Sequence, residues 1–171
     1  MKKLNLLELN RISIENFKKT EKKDLIIILD NIRSALNIGS IFRTADAFLF
    51  KKIILTGICA TPPNREILKT AIGATDSVDW EYFEEVKDAV IHYKSDNYKI
   101  IGIEQTDISI PLQSYPIHQK VALVFGNEVG GIDDSILELL DCSIEIPQFG
   151  TKHSLNVAVC AGIVMWEFSK L

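Results

Sequence analysis

Cysteine is scarce in this chain. Cys59, Cys142 and Cys160 are scattered, and no two form a CxxC pair. That excludes a disulfide framework and the usual zinc site, and it fits a reducing cytoplasm. Small buried apolar side chains are the plain reading of all three. No cluster of Cys, His or carboxylates suggests a metal, and none is expected. No apolar run reaches the roughly 18 residues of a membrane span. The N-terminal stretch MKKLNLLELNRISIENF begins basic but has no continuous apolar core and no small-residue cleavage site. It reads as mature protein, not as a signal peptide. Internal repeats and low-complexity tracts are absent. So are GxGxxG and the P-loop pattern GxxxxGK, which removes the two commonest phosphate-loop signatures.

What remains is an ordinary globular composition. The 171 residues are 47% hydrophobic and 25% charged, enough for one domain burying roughly 70% of its unfolded surface. The net charge of −4 argues mildly against nucleic acid, but its distribution is uneven. Residues 1–70 hold 13 Lys and Arg against 7 Asp and Glu, and residues 71–171 hold 6 against 16. A phosphate-binding face is therefore expected from the front half. Its candidates are Arg11, Lys18, Lys19, Lys22 and Lys23, with Arg33, Lys51, Lys52, Arg65 and Lys69. A solvated basic face without a partner is the plain alternative.

The charged stretch Thr20–Asp24 separates a short basic N-terminal extension, residues 1–24, from one domain over 25–171. Within the extension, Ser13 is placed to cap a helical turn running to Lys19. Strands and helices then alternate. LIIILD (Leu25–Asp30) is continuously apolar, as a strand buried on both faces is. Further strands are expected over 52–57, 77–83, 98–105, 120–126 and 142–147. Helices are expected from the periodicity of Ile38, Ile41, Phe42, Ala45, Phe48 and Leu49, and over 65–72, 84–94, 134–140 and roughly 155–169. This pattern predicts an α/β fold, a mainly parallel sheet with helices on both faces. Ligands in such sheets sit beyond the carboxyl ends of the strands. The loops to watch are Asp30–Asn37, Gln105 onward, Gly126–Gly131 and Pro147–Asn156. The terminal helix carries VAVCAGIVMW (Val157–Trp166), apolar on nearly every face, which predicts burial all round and a second subunit against one side.

Three of these segments hold candidate chemistry. Glu128 sits among glycines in GNEVGG, on a loop after a strand. Arg43 lies on the polar side of the helix after Leu25–Asp30. Near that helix's N-terminus an Arg opposes the helix dipole, a cost better understood if it meets a phosphate. Asn37 lies near the same helix start, placed to cap it or to touch a ligand. In IPQFGTKHSLNVAV, Ser154 and Asn156 open the terminal helix, and an N-cap is the leading reading of Ser154.

Together the segments resemble the three motifs of the SpoU RNA ribose methyltransferases, of the SPOUT superfamily. The first is Asn37-Ile-Gly-Ser-Ile-Phe-Arg43-Thr-Ala. The second is Val124-Phe-Gly126-Asn127-Glu128-Val-Gly130-Gly-Ile132. The third is Ile146-Pro147 followed by Ser154-Leu155-Asn156-Val-Ala158. KTAIGA (Lys69–Ala74) is similar to the family's lysine- and Gly-Ala-containing segment. The resemblance spans about Leu25 to Phe168. It implies a sheet whose C-terminal part forms a deep trefoil knot, a rarity among folds. It implies S-adenosylmethionine as methyl donor, bound at Ile103, Gly126, Ile146, Ser154 and Leu155. It implies a homodimer with the active site completed across the interface. Arg43, Asn37, Glu128, Ser154 and Asn156 would form the catalytic constellation, with Arg43 acting on the 2′-hydroxyl as base or as phosphate and alkoxide partner, and Glu128 fixing its loop and positioning Arg43 or Asn156. The substrate implied is structured RNA, tRNA ahead of ribosomal RNA. Rival readings are a knotted base methyltransferase, a non-catalytic RNA-binding homologue and a flavodoxin-like nucleotide-binding domain.

Overall fold

A computed structural model describes residues 1–5, 8–117 and 120–170. Seven parallel strands form one sheet: β1 (Lys23–Asp30), β2 (Phe50–Thr56), β3 (Asp79–Phe83), β4 (Lys99–Ile103), β5 (Ile110–Pro111), β6 (Val121–Phe125) and β7 (Cys142–Glu145). Their spatial order is β3-β2-β1-β6-β4-β7-β5. Among the described residues seven α-helices accompany them: α1 (Ile14–Lys19), α2 (Ala35–Ala47), α3 (Arg65–Ala71), α4 (Ala74–Ser77), α5 (Val86–Ser95), α6 (Asp134–Leu137) and α7 (Val157–Phe168). The expected alternation is present. The two-residue edge strand β5 and the short helix α4 are additions, too brief for periodicity to register.

Side chains alternating along each strand feed two cores. Leu25, Ile27, Leu29, Ile53, Leu55, Ile101, Leu123 and Phe125 pack under α2, α3 and α7, with Phe17 of α1 in the same cluster. Ile26, Ile28, Ile54, Ile100, Ala122 and Val124 pack under α5 and α6. That double coverage is why β1 reads as unbroken isoleucine and leucine. Ser13 caps α1, its hydroxyl accepting from Asn16 N.

Gly39 lets α3 lie directly on α2. A Cβ there would come within 2.3 Å of the Ile67 carbonyl oxygen. Helix propensity alone says Gly39→Ala gains about 1 kcal/mol. The clash with backbone reverses the sign, and a net loss of about 1–3 kcal/mol is expected from overpacking. Urea denaturation of the variant checks it; a gain in stability would refute the close approach.

Candidate active site

The loops following β4, β6 and β7 enclose a cleft of about 580 Å³ at the carboxyl ends of the strands, a size suited to a nucleoside-containing ligand. Its walls include Ile103, Gly126, Ile146, Ser154 and Leu155, all five expected cofactor contacts, together with Glu128 and Asn156. The location follows from topology, since parallel strands end together and their loops converge there.

The Gly126–Gly131 loop is tied down from several sides. Asn127 N donates to the Gly131 carbonyl at 2.8 Å, and Gly131 N donates to the Asn127 carbonyl at 2.9 Å. The Asn127 side chain donates to the Asn31 carbonyl at 2.6 Å and accepts from Val129 N and Gly130 N. Asp30, buried at the end of β1, accepts from Asp133 N at 2.7 Å and from Asn31 Nδ2 at 2.8 Å. Burial pushes its carboxyl above the ordinary range, outweighing those bonds. Glu104, just past β4, accepts from Ile132 N at 3.1 Å. The motifs gave no role to Asp30, Asn127 or Glu104. A signal was available for the two acids: Asp30 closes the apolar run of β1, and Glu104 directly follows that of β4.

Glu128 performs a specific task. Its carboxylate accepts from Arg33 N at 3.0 Å, Ser34 N at 3.2 Å and Asn37 Nδ2 at 3.3 Å. It thus caps α2 from another loop, where the helix dipole favours an anion. The local N-cap is Ser34, whose hydroxyl accepts from Asn37 N, so Asn37 is not the cap. Its side chain instead connects Glu128 to Asn156, whose Nδ2 donates to Asn37 Oδ1 at 3.2 Å. Asn156 Oδ1 also accepts from Ala158 N and Val159 N. Asn156 is therefore the N-cap of α7, correcting the expectation for Ser154, which lines the cleft two residues earlier. The run Glu128–Asn37–Asn156 joins all three motif loops.

Burial would raise the Glu128 carboxyl, but the bonds from Arg33, Ser34, Asn37 and its own N–H hold it below 4.5. Its contribution is therefore present above that value and lost as pH falls through the lower folded one. Glu128→Ala is expected to cost about 0.5–1 kcal/mol at neutral pH, modest because the group is solvent-accessible. Denaturation at neutral and acid pH should show the wild-type advantage shrinking in acid. An advantage independent of pH would remove the carboxylate from this role.

Arg43 is elsewhere. It is exposed, lies in the second half of α2, and is not among the cleft-lining residues. The helix begins at Ala35, so the dipole argument for an anion there fails; a cation in this half is not disfavoured. Neither Glu128 nor Asn156 bonds to Arg43 among the described residues. With Leu36 it shares the outer face of α2 (i, i+7), and α7, which packs on α2, carries an exposed apolar stripe of Val159, Ile163 and Trp166. Within one chain α7 is thus buried along one side only. Lys19, Lys51 and Lys52 are paired with Glu15, Asp24 and Glu81, and Lys22 and Lys23 donate to main-chain carbonyls.

Cys59 is buried, its Sγ accepting from Ile32 N, and burial pushes its thiol up to about 11. It is a packed, unreactive side chain, as expected.

Fold and cleft define a class: a parallel α/β domain with a ligand-sized cleft at converging strand ends and a polar network beside it. The chain belongs to the SpoU rRNA Methylase family, whose profile matches residues 24–166. It is 32% identical over 160 residues to an uncharacterized tRNA/rRNA methyltransferase of Borreliella burgdorferi, covering 92% of this chain and 68% of that one. It is 29% identical to the tRNA (guanosine(18)-2′-O)-methyltransferase of Aquifex aeolicus, covering 85% and 69%. Against mouse tRNA (guanosine(18)-2′-O)-methyltransferase TARBP1 the identity is 30%, and the chain spans 9% of that protein's length. The solved Aquifex aeolicus TrmH/SpoU tRNA modifying enzyme superposes with a TM-score of 0.81 at 24% identity, covering 92% and 81%. The Streptomyces viridochromogenes SpoU methyltransferase AviRb with AdoMet gives 0.77 at 24%, covering 90% and 60%.

Proposed function

We propose that this chain transfers the methyl group of S-adenosylmethionine to a ribose 2′-hydroxyl in structured RNA, with tRNA the favoured substrate. The observation that carries this reading is the Glu128–Asn37–Asn156 run, which gathers the three motifs beside one cleft. The relatives named above as guanosine 2′-O-methyltransferases support it.

The cleft fits the donor. Its volume suits an adenosine with a methionine tail, and Gly126 brings bare backbone to its wall. When bound, S-adenosylmethionine supplies an activated methyl on a sulfonium. The chain must then hold donor and acceptor in line and stabilise charge on the acceptor oxygen. Ile103, Ile146 and Leu155 offer apolar walls, and Gly126 and Ser154 offer polar groups. Asn37 and Asn156 lie where loop ends meet and would orient the ribose. Arg43 would pair with the phosphate beside the target ribose and stabilise the developing alkoxide. As the bond from the ribose oxygen to the methyl carbon forms and the carbon–sulfur bond breaks, the 2′-hydroxyl proton passes to solvent.

Arg43 is exposed and does not line its own cleft, and a homodimer in which it reaches the partner's cleft resolves this. The exposed apolar stripe of α7 and Leu36 beside Arg43 support such an interface. The C-terminal part is proposed to form the deep trefoil knot. The interleaved order β1-β6-β4-β7 supports it, as does Gln105 Nε2 donating to the His153 carbonyl at 2.9 Å, which ties the loop after β4 to that after β7. The cytoplasm is the proposed site of action.

Incubation with labelled S-adenosylmethionine and bulk RNA, followed by nucleoside analysis, tests the reaction. Label in 2′-O-methylated nucleosides is expected, chiefly in the tRNA fraction. Label in methylated bases would establish the base-modifying alternative. Binding of donor and RNA without transfer would make the chain a non-catalytic homologue.

A further inference from the structure

Glu104 has no place in the three motifs, yet it is built into the cleft. It follows β4 directly, and the register Ile103↔Phe125 sets it beside Gly126 at the ends of adjacent strands. The loop closes against it: Gly131 has φ +72°, and a Cβ there would lie 2.5 Å from Glu104 Oε2. One oxygen accepts from Ile132 N, and the other accepts from Gln105 N at 2.9 Å. Each carboxylate oxygen can accept a second hydrogen bond. The backbone donors therefore fix the group in place while capacity remains for a ligand. Its charge also acts inside the cleft. Cys160, another lining residue, is pushed up to about 11 by burial and then by the Glu104 charge.

In dinucleotide-binding sheets, a carboxylate accepts from the ribose hydroxyl of a nucleotide whose phosphates rest on a glycine loop. This chain lacks that glycine pattern, but it has the same juxtaposition of a glycine loop and an acid on neighbouring parallel strand ends. A ribose diol offers two adjacent hydroxyl donors, a geometry matched to one carboxylate. Given the methyltransferase reading, on which this inference rests, we propose that Glu104 binds the donor. Its carboxylate accepts hydrogen bonds from the 2′- and 3′-hydroxyls of the adenosine ribose in S-adenosylmethionine.

The test is calorimetric and needs no turnover. Wild-type protein and Glu104→Gln are titrated with S-adenosylhomocysteine, with its 2′-deoxy and 3′-deoxy analogues, and with an analogue lacking the α-amino group. Circular dichroism and thermal melts first confirm that the variant is folded. Wild type should bind the deoxy analogues about ten- to a hundredfold more weakly than the parent, the effect of losing a hydrogen bond to a charged acceptor. Glu104→Gln should bind the parent more weakly by a similar factor and discriminate against the deoxy analogues less than threefold. A purely structural Glu104 gives a different result: overall affinity falls, but wild-type discrimination persists, and the proposal is overturned. It is also overturned if the variant loses discrimination against the desamino analogue instead, which would place the methionine ammonium at Glu104. If wild type binds none of these ligands, the methyltransferase reading itself fails. If the variant unfolds, Glu104→Asp replaces it under the same criterion, since the shorter side chain should also lose hydroxyl discrimination.

Discussion

Arg43→Ala is expected to lower methyl transfer about 10³-fold, the scale of removing a donor that stabilises developing negative charge. Affinity for S-adenosylhomocysteine should change less than about twofold, because Arg43 does not line the cleft of its own chain. Stability should be unchanged within about 0.5 kcal/mol, as for an exposed side chain without an internal partner. The proposed dimer adds a stronger expectation. Leu155→Arg would fill the cleft while leaving Arg43 in place, and each variant alone should be inactive. Mixed and allowed to exchange subunits, they should recover activity, since one site per heterodimer combines an open cleft with an intact Arg43. Labelled-methyl counting on the separate and mixed proteins decides this. No recovery on proven exchange would place Arg43 in its own chain's site. Parallel loss of donor binding in Arg43→Ala would assign it to the cofactor or to folding.

Gly126→Ala should be the most damaging substitution in the motif loop. An added Cβ would stand 2.2 Å from Gly131 C and Ile132 N, and 2.5 Å from Gly131 O. These are backbone atoms, and they cannot retreat freely. Gly131 is paired with Asn127 in both directions, and Ile132 N is held by Glu104. Relief requires breaking those bonds or shifting the end of β6 within the sheet. A loss of about 3 kcal/mol is expected, at the upper end for overpacking. For a domain of this size that lowers Tm by about 6–12 °C. Donor binding should disappear even where the variant folds, because the loop that walls the cleft is displaced. Calorimetric melting with and without S-adenosylhomocysteine measures both effects. Near-normal Tm and affinity would show that the loop is looser than its hydrogen bonds imply.

The replacements that fail to follow local rules mark where sequence reasoning reaches its limit. At Gly39 propensity predicts a gain and packing a loss, because the deciding atoms belong to α3, some thirty residues away. At Ser154 the N-cap preference pointed to a reasonable residue, but Asn156 caps the helix because α7 starts at Val157. A two-residue error at a helix start, about half a turn, is enough to transfer the role. For Arg43, a helix start at Ala35 puts the residue in the second half of α2, where the dipole does not oppose a cation.

The alternation of β1 through α7, the parallel sheet and the loops that would carry a ligand were determined by sequence alone. Strand burial on two faces and helical periodicity are local patterns, and they repeat along the chain. The motif residues Gly126, Glu128, Ser154 and Asn156 were legible for the same reason, as short strings in order. Only the tertiary structure decided what each one touches. The strand order β1-β6-β4-β7 brings together loops separated by about a hundred residues, and no local pattern encodes that order. Through it Glu128 caps α2, Asn37 meets Asn156, and Asp30 and Glu104 hold the glycine loop from either side. The separation of Arg43 from the cleft has the same origin: one helix ties Asn37 to Glu128 and Asn156 and leaves Arg43 exposed, and only the fold decides which side meets the loops.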